Sequence, residues 1–227
     1  MINIAIPIIA IDGPSASGKG TISQRVAEAL GFHYLDSGAL YRVIAYAAKQ
    51  KAINWADADA LARMTELLDI RFEHGEVFLD NQEISPEIRT EEMGRGASEV
   101  STHPQVRSAL TSLQREFAKL PGLVADGRDM GSVIFPDAML KIFLTASAEV
   151  RAERRYKQLS QKDQQADYEA ILRDLQLRDK RDRERSTAPL VQTPDALLLD
   201  TTQCTIDEAV EFVLSAYENR IKLPLSH

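Results

Sequence analysis

"IIAIDGPSASGKGT", residues 8–21, sets the reading of the whole chain. Its first half is a short apolar run, Ile8-Ile9-Ala10-Ile11, with the composition of a buried strand. Its second half spreads Gly13, Gly18 and Gly20 among Pro14, Ser15, Ala16 and Ser17, and sets Lys19 near the end. "TISQRVAEAL" (21–30) is then amphipathic at helical spacing, with Gly31 as a C-cap candidate. Glycines let the backbone turn several N–H groups inward, a concave nest for an anion. The helix N-terminus adds the positive end of its dipole, and Lys19 adds a full charge. A glycine-rich turn would share this composition. The strand before and the helix after favour a loop that binds phosphate.

Gly13-x4-Gly18-Lys19 fits the P-loop skeleton, and Lys19 stands where β- and γ-phosphate oxygens would sit. One position departs from the common form. Gly20, not Ser or Thr, follows the lysine, and Thr21 comes one residue later. In the standard motif that hydroxyl binds Mg²⁺, so here a metal is expected largely through water, with Thr21 and Asp126 as candidates. The "GKGT" ending is typical of nucleoside monophosphate kinases.

The same grammar recurs along the chain. "FHYLD" (32–36), "GLVADG" (122–127), "AMLKIFLT" (138–145) and "DALLLD" (195–200) read as further strands, most of them leading into helical patterns. Alternating strands and helices imply an α/β fold, a parallel sheet covered on both faces. Thr205-Ile-Asp-Glu208 reads as a capping box opening a C-terminal helix. "DIRFEHGEVFLDNQEIS" (69–85) instead alternates polar and apolar residues around Gly75, which is hairpin grammar. Residues 69–98 are therefore expected as an insertion on the main sheet, and "ASEVSTHPQVRSALTSLQREFAKL" (97–120) as a return to helix.

The bulk numbers exclude several classes. The 227 residues are 44% hydrophobic, enough for a sizeable core, and the net charge of −7 disfavours a protein that coats nucleic acid. One cysteine, Cys204, forms neither an internal disulfide nor a thiolate cluster, which suits a reducing cytosol. His33, His74, His103 and His227 lack metal-ligand spacing, so no zinc site is assigned. The N-terminal "MINIAIPIIAI" has no basic flank and no cleavage site, and it reads as a strand rather than a secretory segment. No run of apolar residues has the length of a membrane span.

Three more constellations carry charge to strand ends. "DSGALYR" (36–42) puts Ser37 at a helix N-terminus, a second place for an anion, with Tyr41 and Arg42 one turn in. A capping Ser37 and a solvated Arg42 would explain it equally well. "ADGRDMG" (125–131) ends a strand, where open α/β sheets bind ligands, with Asp126, Arg128 and Asp129. "LRDKRDRERS" (177–186) places Arg178, Arg181, Asp182 and Arg185 on one helical face, suited to phosphate or ribose, although a solvated helix shares the pattern. "RAERR", with Arg151, Arg154 and Arg155, opens the helix before it, and polar "LSQKDQQAD" between them is a plausible lid hinge.

In order and spacing, "IDGPSASGKGT", "LDSGALYR", "GLVADGRDMGSVIFPDA", "KIFLTAS" and "RDKRDRERSTAPL" resemble the bacterial cytidylate (CMP) kinases over essentially the whole chain. The resemblance implies one P-loop kinase domain with the nucleoside monophosphate kinase fold, a parallel five-stranded sheet flanked by helices. It implies a small NMP-binding insertion (69–98) and a short lid (152–168). It implies transfer of the ATP γ-phosphate to CMP or dCMP, with Mg²⁺. Gly13, Pro14, Ser15, Ala16, Ser17, Gly18, Lys19, Gly20 and Thr21 would bind ATP. Ser37, Tyr41, Arg42 and Arg128 would face CMP, with Ser98, Arg107 and Asp129 near the cytosine. Arg178 and Asp182 would reach the sugar and Arg185 the acceptor phosphate, and Lys19, Arg128 and Arg185 would carry the catalysis. Arg151, Arg154 and Arg155 would belong to the lid. The implied protein is a cytoplasmic monomer with no nucleic-acid or membrane partner. Ala16-Ser17 stands where the family often shows Gly-Ala, and Ala16 lacks glycine's freedom at positive φ. The competing readings are a kinase for another acceptor, a nucleotide-binding regulator without turnover, and a nucleic-acid binder using the arginine helix.

Overall fold

In a computed structural model, the structure describes residues 6–73, 75–161 and 166–222. The chain divides into two compact units, one of residues 1–35 with 117–227 and one of residues 36–116.

The first unit is built on a five-stranded parallel sheet of order β2-β6-β1-β7-β8. Its strands are β1 (Ile8–Asp12), β2 (His33–Asp36), β6 (Leu123–Gly127), β7 (Leu140–Thr145) and β8 (Leu197–Asp200). β1 is central, with Ile9 facing Val124 of β6 on one side and Leu140 of β7 on the other. Ile9, Ala10 and Ile11 have no exposed surface, which is why β1 reads as a continuous apolar run rather than an alternation. Two helices of this unit, α1 (Lys19–Leu30) and α9 (Ile206–Lys222), share a core with the sheet. α1 contributes Ile22 and Val26, one turn apart, and α9 contributes Val213 and Tyr217, again one turn apart. The ring of Phe32 meets Tyr217 edge-on, with centroids 5.7 Å apart. The expected capping box opens α9: Thr205 Oγ1 accepts the Glu208 N–H, and Glu208 Oε2 accepts the Thr205 N–H. Helices α7 (Ala148–Ser160) and α8 (Tyr168–Glu184) complete the unit. The central part of the expected lid, residues 162–165, lies outside the described residues. A single π-type turn, Met130–Ile134, follows β6.

The second unit carries the helices α2 (Ser37–Gln50), α3 (Ala58–Thr65), α4 (Ser85–Ile88), α5 (Glu91–Val100) and α6 (Pro104–Glu116). It also holds a three-stranded antiparallel sheet of β3 (Ile70–Glu73), β4 (Glu76–Leu79) and β5 (Gln82–Glu83). Both hairpin turns use the left-handed region: Gly75 at φ 82 in the first, Asp80 and Asn81 at φ 49 and 68 in the second. Asp and Asn tolerate that region through their short polar side chains. α2 and α5 pack on each other, closely enough that a Cβ on Gly96 of α5 would lie 2.8 Å from the Ala45 Cβ of α2. Residues 69–98 thus take up β3, β4, β5, α4 and most of α5 inside a larger compact unit.

The helix expected over 97–120 is two helices. α5 ends at Val100 and α6 begins at Pro104. Proline disfavours helical backbone in the residue before it and lacks the N–H that a helix interior needs, so it starts a helix here rather than continuing one. The strands expected from Gly122, Ala138 and Asp195 each begin one or two residues later. Among the described residues, no helix is long and apolar enough to cross a membrane.

Candidate active site

The loop between β1 and α1 is held from outside by side chains of its own unit. Arg151 donates from Nη1 to the Ser15 carbonyl at 3.0 Å. The Ser17 carbonyl accepts from Thr201 Oγ1 at 3.2 Å and from Arg154 Nη1 at 3.4 Å. Arg128 Nη2 donates to the Ser15 hydroxyl at 2.7 Å. A peptide whose carbonyl faces outward turns its N–H the other way, so these contacts favour an inward nest of donors. Ala16 at φ 58 and Gly18 at φ 91 both adopt the left-handed backbone that such a nest requires. Ala16 takes the conformation without glycine's freedom, at about 1–2 kcal/mol. Gly13 is required by space instead: a Cβ there would lie 2.1 Å from the Leu144 carbonyl oxygen. Lys19 opens α1 and bends its ammonium back to the Pro14 carbonyl at 3.2 Å.

Arg151 and Arg154 were expected in a lid. Arg151 is instead 3% exposed and forms a two-pronged pair with Asp179 of α8, at 3.1 and 2.5 Å. Its Nε donates to the Ala146 carbonyl. Arg154 donates to the Thr201 carbonyl at 2.6 Å. Both arginines therefore brace the loop. Arg155 is half-buried and donates to Gln158 one turn on.

At the carboxyl end of the sheet, Asp126 accepts a hydrogen bond from the Tyr34 hydroxyl at 2.5 Å. Next to it, Arg128 donates from Nε to Asp182 at 2.6 Å and from Nη1 to the Gly127 carbonyl. Burial disfavours its charge, but Asp182, Asp126 and Asp179 outweigh that and raise its pKa further. Asp182 is itself buried, and its main-chain carbonyl accepts the Leu190 N–H. Arg185, just past the end of α8, lies 3.6 Å from Asp129 and donates to the Ala188 carbonyl. Arg178 pairs with Asp174 one turn earlier on α8. The arginine helix is therefore only partly a solvated face: Lys180, Arg181, Arg183 and Glu184 are exposed, while Asp179 and Asp182 are buried. Its acids point to arginines of other elements, Asp179 to Arg151 and Asp182 to Arg128.

Asp12 is the last residue of β1. It is 6% exposed, and its two oxygens accept the Met130 and Gly131 N–H groups, each at 2.8 Å. The last residue of β1 thereby fixes the turn that follows Arg128 and Asp129. Burial pushes its carboxyl up to about 6, with Asp129 adding to the rise; the two N–H bonds and Arg128 oppose it.

In the second unit, Asp36 caps α2 by accepting the Ala39 N–H, which leaves Ser37 buried in the first turn rather than as the cap. The Arg107 guanidinium sits 5.8 Å from the centre of the Tyr41 ring, and both residues are buried. Arg107 also donates to the Ser101 carbonyl, and the Ser101 hydroxyl donates to the carbonyl of Ser98. Arg42 donates to the Ile88 carbonyl at 3.4 Å. Sequence reasoning missed Asp12, Tyr34, Asp179 and Thr201. Asp12 alone carried a usable signal, a carboxylate at the carboxyl end of an apolar strand beside a glycine loop.

A parallel sheet of this order, with an anion nest leaving its central strand and arginines braced around it, is the build of a P-loop phosphotransferase. The cytidylate kinase family model matches residues 9–219, and the chain belongs to that family. It is 58% identical over 209 residues to a cytidylate kinase of Cupriavidus necator, covering 92% of this chain and 94% of that one. It is 55% identical over 217 residues to a cytidylate kinase of Chromobacterium violaceum, covering 96% and 98%. Among solved structures, an uncharacterized protein from Eubacterium ventriosum is similar in fold, at 12% identity and a TM-score of 0.52 over 93% of this chain and 98% of that one.

Proposed function

We propose that this chain transfers the γ-phosphate of ATP to CMP and dCMP, giving ADP with CDP or dCDP, as a monomer in the cytoplasm. Family membership supports the reading. The observation that carries it furthest is Arg128, which reaches Ser15 in the phosphate loop and Asp182 on the arginine helix at once. The donor loop and the basic helix thus converge on one half-buried charge, as phosphoryl transfer between two phosphates needs.

The nucleophile is a phosphate oxygen of CMP. The second pKa of a phosphate monoester is about 6, so that oxygen is already ionised at neutral pH and needs no strong base. No covalent intermediate is required. The remaining task is to hold two polyanions in line and to neutralise the charge that builds in the transition state. Gly13 through Thr21 cradle the ATP phosphates. Lys19 exchanges the Pro14 carbonyl for phosphate oxygen, and Arg128 and Arg185 exchange carboxylates for the acceptor phosphate. Ser37, Tyr41 and Arg42 contact CMP, Ser98, Arg107 and Asp129 the cytosine, and Arg178 and Asp182 the sugar. Residues 69–98 take part in acceptor binding.

Among the described residues, no three His, Cys, Asp or Glu side chains gather as a ready-made metal cage. An oxygen donor set of Thr21 and Asp126, completed by water and phosphate, suits Mg²⁺, which keeps much of its hydration. Bound there, Mg²⁺ would supply charge neutralisation to the transferring phosphate.

The test is ADP release from MgATP with CMP, dCMP, UMP, AMP and GMP in parallel. Strong turnover with CMP and dCMP alone is expected. Preference for another acceptor would void the cytosine assignments at Ser98, Arg107 and Asp129. ATP binding without turnover on any acceptor would replace the kinase reading with a regulatory one.

A further inference from the structure

The loop lacks a hydroxyl where its common form has one, at Gly20. The structure puts a different hydroxyl in that neighbourhood. A Cβ built on Gly20 would lie 3.6 Å from Tyr34 Oη and 3.7 Å from Asp126 Oδ2. The space beside Gly20 is therefore bordered by the two atoms that bond each other at 2.5 Å. Tyr34 comes from β2, the edge strand on the far side of β6 from β1. Its ring packs against the main core, so the position of its hydroxyl is set by the sheet and not by the loop. Asp126, which its bond fixes, is 3% exposed at the end of β6.

A short side chain on the loop and a long one from the neighbouring strand can deliver an oxygen to the same place. Glycine at position 20 is what leaves room for the second solution. We infer that Tyr34 is a positioning residue for the metal–nucleotide: its hydroxyl takes the place that Gly20 leaves open and holds the Asp126 carboxylate in a single orientation toward the metal's water shell. The inference rests on the Mg²⁺ reading above, with Asp126 as the carboxylate concerned.

Tyr34→Phe removes one oxygen and keeps the ring. Mn²⁺ binding to the enzyme–ATP complex, followed by electron paramagnetic resonance, is expected to weaken roughly fivefold, the size of one lost hydrogen bond. The half-saturating Mg²⁺ concentration in turnover should rise by a similar factor, while KM for CMP stays unchanged. A merely structural loss would lower the melting temperature without that split. Gly20→Ser in the Tyr34→Phe background returns a hydroxyl to the loop and should restore most of the Mn²⁺ affinity. A folded Tyr34→Phe protein with Mn²⁺ affinity within twofold of wild type would overturn the inference. So would a loss that Gly20→Ser fails to restore. If wild-type turnover ignored Mg²⁺, the metal reading itself would fall; a wild type that needs Mg²⁺ beside an unaffected variant would sink Tyr34's role alone.

Discussion

Asp12 sets two effects against each other, and a pH titration decides which wins. Two N–H groups at 2.8 Å favour its charged form, whereas burial disfavours it, and burial prevails, leaving a pKa of about 6 against 3.8 for the free group. A carboxyl whose folded pKa is raised binds its proton more tightly in the folded state. Its contribution to stability is full below pH 3.8 and is lost as pH climbs through about 6. The whole loss is about 3 kcal/mol, and about 1.3 kcal/mol of it falls between pH 5 and pH 7. Asp12→Asn abolishes the titration. Its amide accepts from one of the two N–H groups and turns a donor toward the other, a penalty of about 1–3 kcal/mol. Urea unfolding of both proteins from pH 5 to 7.5 separates the terms. The advantage of wild type over Asp12→Asn should shrink by about 1.3 kcal/mol from pH 5 to pH 7, then flatten. An advantage that stays flat over the same interval would mean that the hydrogen bonds dominate and that the carboxyl is not raised, and the reasoning would be wrong.

Other perturbations follow from the same geometry. Lys19→Ala should lower kcat by about 10²–10³ or more in steady-state assays, and near wild-type kcat would remove Lys19 from the transition state. Asp179→Leu strands the Arg151 guanidinium without its counter-charge and should cost about 3–5 kcal/mol, a fall of roughly 6–20 °C in Tm. Arg151→Met combined with it should recover part of the loss, and a single variant as stable as wild type would show the pair to be dispensable. Gly13→Ala drives a methyl into the Leu144 carbonyl and should lower Tm by roughly 6 °C or more, with loss of ATP binding seen by calorimetry. Ala16→Gly relieves the left-handed strain but frees the unfolded chain, so its net gain should stay under about 1 kcal/mol, and a clear loss of Tm would point to packing by the Ala16 methyl.

What could be read in the sequence was local. Ile8–Asp12, the Thr205–Glu208 box and the turn at Gly75 each carry their reason within a few residues. Pro104 held the helix break as plainly, but the apolar spacing on either side ran through it. The partners of the arginines were not local. Arg151 finds Asp179 on the next helix, and Arg128 finds Ser15 and Asp182 from opposite ends of the chain. Before the fold closes, the charges of 177–186 have the pattern of a solvated helix. Asp12 shows the limit most clearly, since its two donors at Met130 and Gly131 arrive only when β1 and β6 are paired.

The order β2-β6-β1-β7-β8 also bears on how the protein is made. Of the five strands of this sheet β1 is made first, yet it is the middle one, and its partners begin at Leu123 and Leu140. Ile8 to Ile11 must therefore wait, uncovered, while more than a hundred residues are translated, about 6–20 s at typical synthesis rates. In that interval residues 36–116 emerge complete, with contacts enough among themselves to collapse early. Residues 36–116 are expected to fold before the sheet closes, and the uncovered apolar strand β1 is the segment that a nascent-chain chaperone would meet.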